Sequence, residues 1–177
     1  SSASQRGLLY LVALMAERAS GLVRIPLWLR RPGLLLEGAR VDRDQPDLAD
    51  LRALAPEERF VWGILPHAAR SFAPCIVSLP GRIALPMAVG YLYCRILDTY
   101  EDLLVDPCAR SSALGDLPLR LERLQIGDSV PPPPLMTFNC ADPRDRVHAL
   151  LAGEVQRLDH LYRGFPEPVQ AALYDLV

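Results

Sequence analysis

The chain is predicted to be all-α. Three observations carry that prediction: no stretch alternates apolar and polar residues with the period of a strand; apolar residues recur at helical spacing in most segments; and the longest such segment, about Ile83 to Leu104, is apolar on nearly every side. A helix that is apolar on most sides is a buried one, so this segment should be the centre of a helical bundle.

The 177 residues, half of them apolar with a net charge of −2, suit one compact unit able to bury a sizeable core. The near-neutral charge balance gives no reason to expect a nucleic-acid partner. All 19 basic residues are arginine, which together with the many alanines, leucines and prolines reflects coding bias and carries no function. Cys75, Cys94, Cys108 and Cys140 are widely spread, without CxxC or Cys/His ligand spacing, and read as reduced thiols of a cytoplasmic protein. His67, His148 and His160 form no HExxH-like pattern and read as surface or satisfied histidines. There is no GxGxxG, P-loop or GxSxG motif.

Taken in order, Ser1 to Arg6 reads as a trimmed end and Arg6 to about Ala19 as an amphipathic first helix, its apolar run too short to span a bilayer. Leu22 to Leu36 is an apolar patch among Arg24, Arg30 and Arg31, broken by Pro26 and Pro32. It suits core packing, with peripheral contact to a membrane as the alternative. A short helix is expected over about Leu48 to Leu54. A second starts at Pro56-Glu57-Glu58, with proline in the first turn and acids at the positive end of the dipole, and runs to about Pro66. Ser78 to Arg82 is a turn launching the central helix. Another helix covers about Ala109 to Gln125, and Gly127 to Asn139, with Pro131 to Pro134, is an extended linker. Asp142 to Tyr162 reads as one helix with Gly164 at its end, and Pro166 to Val177 as the start of a last one.

The chemistry lies on the central helix. At about 100° per residue, Tyr91, Arg95, Asp98 and Asp102 fall on a stripe about 60° wide. Buried carboxylates are costly unless paired or metal-bound. Asp98 and Asp102, at i and i+4, point into one space and suit Mg²⁺, which takes one or two protein carboxylates and completes its octahedron with water and phosphate oxygens. Arg95, one turn earlier, can fork onto phosphate. The bland alternative is a core helix ending in a solvated acidic tip, with Arg95 paired to Asp98 or Asp102.

Arg70-Ser71-Phe72 precedes Tyr91 by nineteen residues, and Leu97-Asp98-Thr99-Tyr100-Glu101-Asp102 follows. This order resembles the squalene/phytoene synthase family of head-to-head prenyltransferases. There an S-R-S-F motif precedes a helix reading Y-x-x-x-R-x-x-D-x-x-E/D-D, and the wording here is nearer the squalene synthase branch. The resemblance covers about Phe60 to Leu104 well and Val147 to Val177 weakly, the latter including Gly164-Phe165-Pro166-Glu167-Pro168. It implies an isoprenoid synthase-type helical bundle of which residues 1–177 form the N-terminal part. It further implies Asp98 and Asp102 as Mg²⁺ ligands, with Tyr91 and Arg95 on the diphosphate and Arg70, Ser71 and Phe72 near it. The substrate would be farnesyl or geranylgeranyl diphosphate, and NADPH would be used if the product is squalene.

Two departures stand out. The first serine of S-R-S-F is Ala69 here, and the family's second aspartate-rich helix lies beyond this sequence. The Asp98/Asp102 site thus supplies one wall of a two-walled metal site. The expectation is a fragment, or one subunit of a split enzyme whose partner chain carries the other Asp-rich motif and covers an exposed apolar face. The alternatives are a non-catalytic partner of another synthase and a same-fold terpene synthase with a different product.

Overall fold

A computed structural model of the chain describes Ala39 and residues Gln45–Val177. The expected helix over Arg6–Ala19 and the apolar patch Leu22–Leu36 lie outside the described residues. Of the described residues 73% are helical and none forms a strand, so the all-α class holds. The helices are α1 (Leu48–Ala53), α2 (Glu57–Ala69), α3 (Ala73–Val77), α4 (Gly81–Leu103), α5 (Pro107–Gln125), α6 (Pro143–Gly153), α7 (Val155–Arg163) and α8 (Glu167–Tyr174), with a 3₁₀ turn at Arg70–Phe72.

Local chemistry sets the starts. Asp47 accepts from the amides of Ala49 and Asp50, and Asp106 from those of Cys108 and Ala109. Asp142 and Asp145 form a reciprocal capping box around Pro143.

Helix α4 is the axis. It packs against α2, α5, α6, α7 and α8, and its Met87, Leu92, Tyr93 and Ile96 are fully buried. Each such aliphatic side chain contributes about 1.5–3 kcal/mol relative to exposure. Gly90 admits the last helix: a Cβ there would lie 2.6 Å from Cδ2 of the fully buried Leu173.

Three boundaries differ from expectation. Helix α2 continues through Pro66 to Ala69, because the buried Leu65, Ala68 and Ala69 hold the last turn in the core. The stretch up to Val77 is then helical as the 3₁₀ turn and α3. The single helix expected over Asp142–Tyr162 breaks at Glu154, one turn before an arginine that ties α7 to α1. Arg157 donates from Nε to Glu154 at 2.9 Å, donates to the carbonyls of Leu54 and Arg52 at the end of α1, and lies over the Phe60 ring at 4.6 Å. The Gly164 cap of α7 is right-handed (φ −78°), so no left-handed residue was needed there.

The proline segment is extended, as expected, and it is anchored. Pro131 O accepts from Arg120 at 2.8 Å, Thr137 O accepts from Val105 N at 3.4 Å, and Asn139 N donates to Leu103 O at 2.8 Å. Phe138 stacks on Tyr100 with centroids 6.4 Å apart. The segment is a strap running back along the end of α4.

The exposed large hydrophobics among the described residues are Val105, Leu119, Ile126, Leu135 and Tyr174, and none is on α4. On α4 the apolar Ile83, Leu85, Leu97 and Leu103 are partly buried. One helical run, Glu57–Val77, is long and apolar enough by length and composition to cross a membrane, but most of it is buried inside the fold.

Candidate functional site

The stripe on α4 forms as predicted. Arg95 donates from Nη2 to the Tyr91 hydroxyl at 3.1 Å, and its guanidinium carbon lies 5.9 Å from that ring's centroid. Its Nη1 lies 3.4 Å from Oδ2 of Asp98. Its Nε is buried and has no hydrogen-bond partner. Leaving a charged donor's N–H unsatisfied away from water is costly, about 1–3 kcal/mol or more, so this atom is an open valence for an acceptor.

The carboxylates are not equivalent. Asp98 is half-buried and Asp102 exposed. Burial lifts the Asp98 carboxyl above the ordinary aspartate range; Arg95 opposes that rise, and Asp102 and Glu101 add to it. The Arg95–Asp98 pairing and the exposed Asp102 are features of the bland reading. The Nε of Arg95 without a partner and the half-buried Asp98 carboxyl beside two further acids go beyond it.

The S-R-S-F-like segment is split. The Phe72 ring lies 6.2 Å from that of Tyr91, tilted by 34°, which brings the 3₁₀ turn to the stripe. Arg70 holds φ 46°, a region that costs a non-glycine residue about 1–3 kcal/mol, and it is the one such outlier among the described residues. Strain of this kind concentrates at functional sites. Ser71 is exposed. Ala69 is 2% exposed and belongs to the core, so the position where the family has its first serine faces inward.

His148 was missed. Read from the sequence as a surface or satisfied histidine, it is largely buried on α6. Burial, together with the positive charges of Arg95 and Arg70, pushes its imidazole down to about 4 despite Asp145 and Asp102. It therefore stands neutral across from the stripe.

Asp159 was missed too. It is 5% exposed and joins three helices: Tyr93 donates to Oδ1 at 2.9 Å, while Arg120 donates to Oδ2 from Nε at 2.8 Å and also from Nη2. A lone acid at i+4 from Val155 and three residues before Tyr162 was the signal. This triad is satisfied and structural, holding the proline strap through Arg120.

The metal expectation meets a specific donor set. No group of three or more His, Cys, Asp or Glu able to hold a metal occurs among the described residues. Asp98 and Asp102 alone do not make a closed zinc-type site. They do fit an ion that takes two carboxylates and fills its other positions with water and phosphate oxygens. No family model, curated protein or solved structure matches this chain.

Proposed function

We propose that the α4 stripe binds the diphosphate of an allylic prenyl substrate with Mg²⁺, and that the chain is a squalene synthase-like prenyltransferase or its N-terminal part. The observation that carries the reading is Arg95: oriented by Tyr91 and Asp98, yet keeping a buried, unpartnered Nε within one turn of a desolvated carboxylate. Two carboxylates one turn apart offer a metal two hard oxygens, and the guanidinium N–H beside them can donate to a phosphate oxygen.

In this reading Asp98 and Asp102 hold Mg²⁺, which supplies charge neutralisation to the leaving diphosphate. Arg95 donates Nε and a terminal nitrogen to phosphate oxygens, Tyr91 fixes the guanidinium plane, and Arg70 adds a second cation at the turn. The Phe72 and Tyr91 rings offer π faces to the allylic cation formed as the C–O bond breaks. The neutral His148 keeps a further positive charge from the site's wall. If the product is squalene, NADPH would be the reductant, and no residue of this chain is assigned to it. A second Asp-rich helix, from a partner chain or a longer form of this one, completes the site. This reading puts the protein in the cytoplasm, with peripheral membrane contact where an apolar product would be delivered.

The test is diphosphate release from farnesyl or geranylgeranyl diphosphate with Mg²⁺, on the chain supplied with that second helix. Release that disappears in Asp98→Asn, with circular dichroism unchanged, is expected. Release at the wild-type rate in that variant contradicts the reading.

A further inference from the structure

The proline strap forms one wall of an open cavity away from the α4 stripe. It has a volume of about 560 Å³, within the range of small-molecule sites. Its walls come from α1 (Leu48, Ala49), α6 (Ala149, Leu150) and the strap (Met136, Phe138). These are apolar side chains, and none belongs to the diphosphate site. Charge at the cavity has one sign: Arg52 and Arg146 line it, and no carboxylate does among the described residues. Arg146 is exposed, and Arg52 is paired at 3.1 Å with Glu154, which lies outside the lining. In a chain whose acids outnumber its bases, 21 to 19, this one-sided charge is a local feature.

The wall construction suits the contents. The strap is anchored at Pro131 and again at Thr137 and Asn139. Prolines lack an N–H, so the span facing the cavity offers an entering chain few donors to desolvate. Leu135 stands fully exposed on that span (105%) and is available to cover apolar matter at the mouth.

We propose that this cavity binds a single-chain amphiphile with an anionic head, its tail against Leu48, Leu150 and Phe138 and its head on Arg146. Carboxylate and phosphate heads share the required chemistry. The site is independent of the diphosphate reading and needs no metal, because it holds no carboxylate.

The test is calorimetry on the full chain with laurate, dodecyl phosphate, dodecanol and inorganic phosphate, below micellar concentrations and with no Mg²⁺. Laurate or dodecyl phosphate is expected to bind, and whichever is tighter names the head. Dodecanol should bind about tenfold or more weakly, and inorganic phosphate not measurably. Arg146→Glu, on the surface, should lose about tenfold or more. Ala149→Trp should block the cavity, and Asp98→Asn should bind as wild type. No binding by either anion, equal binding by Arg146→Glu, or loss in Asp98→Asn overturns the proposal. The last of these would place the amphiphile on the α4 stripe instead.

Discussion

Nη1 of Arg95 lies 3.4 Å from Oδ2 of Asp98, one turn further along α4. Without a polyanion, Asp98 is the counter-charge of Arg95. In the proposed reading the carboxylate would serve the metal and the guanidinium the phosphate, so the pair would exchange partners on binding. Lysine keeps the charge but lacks the fork and has no Nε–H to fill the open valence. Arg95→Lys is therefore expected to weaken Mg²⁺–diphosphate binding by about 1.5–3 kcal/mol, read by calorimetry, with melting temperature nearly unchanged.

The Tyr93–Asp159–Arg120 triad governs stability. Its ionic side chains are 10% and 7% exposed. Removing one partner leaves a buried charge uncompensated, so Arg120→Ala should destabilise the fold by about 3–5 kcal/mol in urea titrations. It should also free the strap, which loses the donor to Pro131. Tyr93→Phe should cost less, about 1.5–3 kcal/mol, as a hydrogen bond to a charged acceptor.

Two helical glycines should respond with opposite signs. Gly115 on α5 has open space where a Cβ would point, so Gly115→Ala should stabilise by about 0.8–1 kcal/mol through helix propensity. Gly90→Val would drive branched atoms into the fully buried Leu173 and should destabilise by roughly 1–3 kcal/mol. Thermal denaturation of both variants checks the pair.

Much of the fold was legible because the apolar periodicity and the caps act locally. The starts expected near Leu48, Pro56 and Ala109 lie within two residues of the observed ones, and α4 follows from apolar residues on most of its faces. The break at Glu154 was missed, and the contacts of Arg157 beside it are not readable locally, since they reach carbonyls more than a hundred residues earlier. The Tyr91–Arg95–Asp98 geometry was readable from helical spacing alone. The contribution of His148 was not, since it depends on how α6 docks on α4, and no local pattern encodes that docking. The inward position of Ala69 likewise depends on α2 continuing past Pro66.

The cysteines offer a chemical check on burial. Cys75 and Cys108 are exposed, whereas burial pushes the Cys94 thiol up to about 12. The thiolate is the nucleophile, so at pH 8.5 iodoacetamide should modify Cys75 and Cys108 and spare Cys94 in the folded protein. Peptide mass spectrometry reads this directly, and unfolding in urea should expose Cys94 to the same reagent.

The central claim is that Asp98 and Asp102 act together as the metal half of a diphosphate site. The most direct measurement is titration of inorganic diphosphate into the chain supplied with the second Asp-rich helix, as wild type, Asp98→Asn and Asp102→Asn, each with and without Mg²⁺. The wild type should bind only with Mg²⁺ present, and each variant should lose about tenfold or more, because each removes one of the two protein charges on the metal. Binding that is independent of Mg²⁺, or unchanged in both variants, would contradict the account and leave the stripe as a structural ion pair.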